Sequence, residues 1–386
     1  MSKNLVLCFD GTNNQFGPED TNVVRLVKVL DRDPAQQRLY YDPGVGTLSE
    51  PGLFLPIVKK FSTWFGLAFG LGMSRKIQEG YCYLMDVWEP GDNVFLFGFS
   101  RGAYTARVLA GFLHAVGLLP RGGTNLAPYA LRYFRKITEG RHCDSAKTDN
   151  SAWRKLCSDF RYTFARPMSP HDKERHFPVH FLGVWDTVSS VGWVWDPKHF
   201  PFTAWNPSVT HMRHAVSIDE HRAFFRQNLF AEQGNHDAVE LWFPGVHCDV
   251  GGGYAREYGR IWWAPFRWML DEARQFGLGV DEGRLREVLT NPPERPWAES
   301  INNSLTPAWY IGEVWPKLIW RKGRSFRLPR CNFARRRFIH QGALIEETAL
   351  KRIRDGKLKY EPKNLSPDFR QSIKALAQVP KYLPVP

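Results

Sequence analysis

The stretch NVFLFGFSRGAYTARVLAGFLHAVGLL, residues 93–119, decides how this 386-residue chain is read. It opens as an apolar, β-favouring run and passes through Gly98-Phe99-Ser100-Arg101-Gly102. It continues with apolar residues at helical spacing. That is G-x-S-x-G between a strand and a helix, the setting a nucleophile elbow needs. The two glycines allow a tight, strained turn that lifts the Ser100 hydroxyl out of the sheet and over the helix N-terminus. Unpaired N–H groups and the helix dipole favour negative charge there. A serine that merely caps a helix is the plain alternative. It gives no reason for glycine on both sides.

Working outward, NLVLCF (residues 4–9) predicts a buried strand, and EDTNVVRLVKVL predicts a helix with Val23, Val24, Val27 and Leu30 on one face, capped by Asp20 or Thr21. QRLYYDPG predicts a strand and GMSRKIQEGYCYLMDVW a helix. The first 120 residues thus alternate strand and helix three times, the mark of a parallel sheet in an α/β fold. Residues 121–175 read as a helical insertion over the sheet. A strand follows at 179–188, then an aromatic-rich loop, then a helix over VTHMRHAVSIDEHRAFF (residues 209–225). AVELWFPGVHCDVGGGY reads as a strand entering a glycine-rich loop, and WWAPFRWMLDEARQFGL as a helix. From about 276 the chain reads as a basic, proline-rich extension with one helix near 343–355. The expectation is a single elaborated domain over 1–386, its core about 1–275.

Charge and composition narrow the function classes. The net charge is +13 and the pI about 9.5, which suits an anionic partner. RKGRSFRLPRCNFARRRF, residues 321–338, concentrates that charge and reads as a solvated basic face. No nucleic-acid-binding motif accompanies it, so an anionic membrane surface ranks above DNA or RNA. The 6 cysteines are scattered without a C-x-x-C pair, which excludes the usual zinc and redox patterns and fits reduced thiols in a cytoplasm. Neither a signal peptide nor a ~20-residue apolar span is visible, so export would need a leaderless route. The nearest apolar run, residues 51–72, is broken by Lys59 and Lys60 and reads as a buried loop-helix or as a cap, a channel wall or an interfacial segment.

A nucleophilic serine needs a base, and the base needs an orienting carboxylate. In α/β-hydrolases they follow in the order Ser, Asp or Glu, His, just past strand ends. FLGVWDTV puts Asp186 at the end of one strand, and LWFPGVHCDVGGGY puts His247 at the end of the next. His340 is the alternative base, and Asp249 the alternative acid, better suited to shaping its loop. LVLCFDGTNN (residues 5–14) invites a phosphatase reading built on Asp10. That chemistry would need a second carboxylate where Cys8 stands.

FDGTNN, YYDPGVGT, GDNVFLFGFSRGAYTARVLAGFLHAVGLL, FLGVWDTVSSVG and WFPGVHCDVGGGY occur in this order, followed by IHQGALIEETALKRIRDGKLKYEPKNL. Together they resemble an α/β-hydrolase domain family of unknown function that includes the first class of type VI secretion phospholipase effectors. The resemblance covers most of the chain. It implies an α/β-hydrolase fold with a mostly parallel sheet, helices on both faces and cap elements. It also implies a serine esterase or lipase acting on glycerophospholipid acyl esters. Ser100 would be the nucleophile, Asp186 the acid and His247 the base. The backbone amides of Arg101 and of Gly11 or Thr12 would hold the oxyanion, and Asp10, Gly98, Gly102, Asp249 and Gly251 would shape the loops. No metal or organic cofactor is expected. A secretion-system or immunity partner would fit an effector. The alternatives are an esterase or thioesterase on other acyl substrates, and a non-catalytic binding domain on the same scaffold.

Overall fold

The computed structural model describes residues 2–11, 17, 19–44, 67–139, 151–168, 175–188, 192–193, 196–197, 200–223, 225–231, 237–305, 309–310, 313, 317–320 and 327–386. Thr12, the 51–66 part of the apolar run and the 321–326 part of the basic stretch lie outside them.

Eight strands form one sheet: β1 (Asn4–Phe9), β2 (Gln37–Asp42), β3 (Asn93–Phe99), β4 (Val179–Trp185), β5 (Val209–Ser217), β6 (Asp237–Phe243), β7 (Leu344–Glu346) and β8 (Tyr382–Pro384). Their spatial order is β8-β7-β6-β5-β4-β3-β1-β2, and every pairing is parallel except β7 with β8. The order reverses between β1 and β3. In open parallel sheets a crevice opens at such a switch point, beyond the carboxyl ends of the strands. Phe9 and Phe99 are those carboxyl ends here.

Alternation along the strands sorts the core into two layers. Leu5, Leu7, Phe9, Val94 and Leu96 face α2 (Leu67–Val87), α3 (Arg101–Val116), α4 (Ala127–Glu139) and α5 (Ser151–Phe164). Val6, Cys8, Phe95, Phe97 and Phe99 face α1 (Asn22–Val29), α7 (Trp263–Gln275) and α8 (Glu282–Val288). Helices therefore cover both faces of a mostly parallel sheet. Thr21 caps α1, its Oγ1 accepting the Val24 N–H at 3.1 Å.

Two sequence expectations need correction. Residues 209–217 form the central strand β5, not a helix. Met212, Ala215 and Val216 fit helical spacing, with Arg213 and His214 between them. These two are partnered inside the protein. Arg213 donates to Asp237 Oδ2 at 2.9 Å and Glu272 Oε2 at 2.6 Å, and His214 pairs with Glu240 at 2.6 Å. The C-terminal region is also more regular than its composition suggests. The helix read near 343–355 splits into strand β7 and helix α9 (Glu347–Arg354). With α10 (Pro367–Lys374) and β8 they complete the sheet's far edge and pack a third apolar cluster around Trp242, Ile345 and Leu350. No described helix is long and apolar enough to cross a membrane.

Candidate active site

Ser100 sits between β3 and α3 at φ 59°, ψ −121°, in the left-handed half of backbone space that non-glycine residues rarely adopt. Its neighbours explain how the turn is enforced. A Cβ on Gly102 would lie 2.2 Å from the Phe9 carbonyl oxygen, and one on Gly98 would lie 2.6 Å from the Ala103 nitrogen. Only glycine lets the first turn of α3 press against the end of β1. The backbone is pinned by the Ser100 N–H donating to the Trp185 carbonyl at 3.0 Å.

Asp186 lies one residue past β4, also at positive φ (40°), with its N–H on the Ala215 carbonyl at 2.7 Å. His247 opens a short helix, α6 (His247–Gly251), rather than the loop expected from the sequence. Asp249 organises that turn. Its carboxylate accepts the Val246 N–H at 2.9 Å and the Asn302 side chain at 2.6 Å, and burial pushes its carboxyl up to about 6. Gly251 packs against the Phe99 ring, where any Cβ would collide. Phe99 and Phe225 flank the His247 imidazole at 4.7 and 4.8 Å between ring centroids.

These segments bring three side chains into one hydrogen-bonded chain. His247 Nε2 is 2.8 Å from Ser100 Oγ, and His247 Nδ1 is 2.5 Å from Asp186 Oδ2. An ionised carboxylate only accepts, so Nδ1 carries the proton. In the neutral ring Nε2 then accepts from the Ser100 hydroxyl. All three residues are nearly sealed: Ser100 is 6% exposed, Asp186 1% and His247 2%. Burial lowers the imidazole's proton affinity, and its contact with Asp186 offsets part of that; the balance stays below the usual histidine value.

Sequence reading missed the groups around Asp186 and His247. Arg337 grips Asp186 with both terminal nitrogens, Nη1 to Oδ1 at 2.5 Å and Nη2 to Oδ2 at 2.9 Å. The Ser217 N–H donates to Asp186 Oδ1 at 2.9 Å. Burial alone would raise the Asp186 carboxyl; Arg337 and His247 outweigh it and hold the group well below the ordinary carboxylate range. Glu220, fully buried, accepts the His247 N–H at 3.2 Å and pairs with Arg222 at 2.8 Å. Burial pushes Glu220 up, but Arg222 brings it down to about 2. Arg337 belongs to the stretch read as a solvated basic face, yet it is only 5% exposed. Nothing local in RRRF distinguishes it from its neighbours.

At the end of β1, Asp10 accepts hydrogen bonds from Thr21 Oγ1 (2.9 Å), Tyr41 Oη (3.0 Å) and its own neighbour, the Gly11 N–H (2.7 Å). The Gly11 amide, expected to face a substrate oxyanion, is thus held by the Asp10 carboxylate. His340 bonds the Gln341 carbonyl at 2.8 Å, and His247 occupies the place beside Ser100. Cys8 is buried, and burial pushes its thiol well up.

The fold and site define an α/β protein with a Ser–His–Asp hydrogen-bonded chain at the carboxyl ends of parallel strands. The chain belongs to the family described as T6SS, phospholipase effector Tle1-like, catalytic domain, whose signature spans residues 3–272. It is 35% identical over 234 residues to the uncharacterized protein YEL023C of Saccharomyces cerevisiae (strain ATCC 204508 / S288c), covering 59% of this chain and 33% of that protein. The chain therefore matches about a third of that relative's length. Among solved structures it is similar to an uncharacterized protein from Pseudomonas aeruginosa (19% identity, TM-score 0.42, 78% of this chain and 49% of that one). It is also similar to the Tle1 effector bound to the VgrG spike from the Type 6 secretion system (18% identity, TM-score 0.38, 66% of this chain and 51% of that one).

Proposed function

We propose that this chain is an α/β-hydrolase domain that cleaves carboxylic esters, with glycerophospholipid acyl esters as its substrate class and a secretion-system setting as in the family's description. The observation that carries the reading is the strained Ser100 at a strand-to-helix turn, with its Oγ 2.8 Å from a histidine whose other nitrogen is bonded to a buried carboxylate. A capping serine would not need that backbone strain.

In this mechanism His247 Nε2 takes the hydroxyl proton as Ser100 Oγ attacks the ester carbonyl. Asp186 fixes the ring's tautomer and stabilises the imidazolium that forms. The Arg101 N–H, the amide of the residue after the nucleophile at the N-terminus of α3, donates to the oxyanion. The second donor comes from the segment after β1; for Gly11 this requires its N–H to turn from Asp10 toward the substrate. Collapse of the tetrahedral adduct passes the Nε2 proton to the leaving alcohol and leaves an acyl-Ser100. Water then attacks the acyl carbon, gives its proton to His247, and releases the fatty acid as Ser100 regains its hydrogen. The positive net charge of +13 favours encounter with an anionic lipid surface.

Replacing Ser100 with Ala should leave the fold intact and reduce ester hydrolysis by on the order of 10⁴–10⁶. The assay is p-nitrophenyl esters of graded chain length, followed by lipid mass spectrometry on phosphatidylglycerol and phosphatidylethanolamine vesicles. Undiminished hydrolysis in a folded Ser100→Ala protein sinks the mechanism. Hydrolysis of short esters without any phospholipid cleavage keeps the mechanism and rejects the substrate class.

A further inference from the structure

The region after the family signature supplies a member of the site. We propose that Arg337 is a positioning residue for the hydrolytic reaction: it orients the Asp186 carboxylate and, by sharing that carboxylate with His247, sets the pH at which the base works. This rests on the hydrolase reading above.

The geometry separates Arg337 from an ordinary structural arginine. Its two terminal nitrogens meet both Asp186 oxygens, a planar fork matched to a planar carboxylate. That contact fixes the carboxylate plane and points Oδ2 at His247 Nδ1, 2.5 Å away. The guanidinium also donates to Ser217 Oγ at 3.0 Å and to the Phe225 carbonyl, the residue whose ring flanks His247. Arg337 lies beyond residues 3–272, the stretch that carries Ser100, Asp186 and His247. The Ser–His–Asp chain is therefore braced from outside the family's own domain signature.

The charge balance around the imidazole follows from the groups that face it and its carboxylate. Arg337 approaches from the segment before β7. Glu220 and Arg222 lie after β5 and pair with one another, and His214 stands within β5. Cys248 adjoins His247 on α6 and is pushed up to about 12, so it is neutral at working pH. His214 is neutral as well: burial lowers it, and its Nε2 accepts the Thr187 N–H at 3.1 Å. Among the described residues, the carboxylates of Asp186 and Glu220 thus face the guanidiniums of Arg222 and Arg337, and Glu240 pairs with the far nitrogen of His214 at 2.6 Å. Without Arg337 the imidazole sits beside one uncompensated negative charge, which favours its protonated form.

The test compares wild type, Arg337→Met and Arg337→Lys, each as the full chain, with a neutral p-nitrophenyl ester between pH 5 and 9. Folding is checked by thermal melts, and Ser100 by fluorophosphonate labelling. The acid limb of kcat/KM reports protonation of the free enzyme's base. Arg337→Met is expected to lower kcat by about 10- to 100-fold and to move that limb up by about one pH unit, with KM little changed. Arg337→Lys keeps the charge and loses the fork, so its limb should stay in place while kcat falls by about 10-fold. A folded Arg337→Met protein with an unmoved limb assigns Arg337 to scaffolding alone and overturns the inference. If Arg337→Met does not fold, Arg337→Lys decides: a reduced kcat with the limb in place supports the inference, and wild-type kcat rejects it. A wild type that neither hydrolyses esters nor takes the label overturns the hydrolase reading, and this inference with it. An active wild type separates the two.

Discussion

Asp10 and Asp186 occupy equivalent places in this molecule and behave in opposite ways. Each follows the last residue of a parallel strand, β1 or β4, and each is buried, at 4% and 1% exposure. Among the described residues, Asp10 receives only neutral donors, from Thr21, Tyr41 and Gly11. Burial wins there and pushes its carboxyl up to about 6. Asp186 receives a guanidinium fork and an imidazole N–H, and these reverse the effect of burial. Position at a strand end therefore does not select a carboxylate for chemistry. A buried acid stays ionised far below neutral pH where cationic groups converge on it, and in this pair that is the acid touching His247.

The sharpest break would come from making both acids neutral. Asp186→Asn should reduce kcat by on the order of 10⁴, because the amide favours the wrong tautomer of His247. Asp10→Asn should stay within about tenfold of wild type, since no contact among Ser100, His247 and Asp186 is lost. Equal losses, measured on the same ester, would erase the distinction.

Stability should separate them next. Asp186→Asn leaves Arg337 buried against a neutral group and should cost about 3–5 kcal/mol in urea unfolding at pH 7. Because the folded-state Asp186 carboxyl is held below its unfolded value, its contribution is present above about pH 4 and fades as pH falls through that window. Asp10 runs the other way. Its folded value of about 6 exceeds the ordinary 3.8, so the folded state holds the proton more tightly, and stability declines as pH rises between those values. Asp10→Asn should therefore cost about 1–3 kcal/mol near pH 5 through its hydrogen bonds, with the gap to wild type narrowing at pH 8. A gap that widens would reverse the assignment.

The smallest effect is expected from Thr21→Val, which keeps the shape and removes one donor to Asp10 together with the α1 cap. A loss of about 1–2 kcal/mol is expected, with activity preserved. Its unfolding curves should also place the Asp10 transition at higher pH than in wild type.

The parallel α/β architecture was legible where strands are apolar and helices amphipathic, as in residues 4–30 and 93–116. Those patterns report burial directly. β5 was not legible, because a central strand with polar side chains paired inside the protein gives the same apolar spacing as a helix. At the site, Ser100, Asp186 and His247 could be nominated because each belongs to a local pattern of strand, turn and glycine. Arg337 and Glu220 could not. Their roles arise from contacts with distant parts of the chain, and RRRF looks alike whether an arginine meets water or a carboxylate. The Gly11 amide was assigned to a substrate by analogy of place. The adjacent carboxylate that now binds it was visible in the sequence, but its direction was not.

Strand β7 has a consequence for how the protein is made. It pairs in parallel with β6, although about a hundred residues separate them in the chain, and β8 then closes the edge. During synthesis the amino-terminal strands emerge and fold first. Until the last segments arrive, β6 is an open, hydrogen-bond-hungry border with Trp242 uncovered, the kind of edge that recruits stray strands. The nascent chain therefore passes through a stage in which its sheet can grow in the wrong direction. Truncations or stalled ribosomes that end between β6 and β7 should yield aggregates that a chaperone must hold, whereas a chain that includes β7 and β8 covers the border of β6.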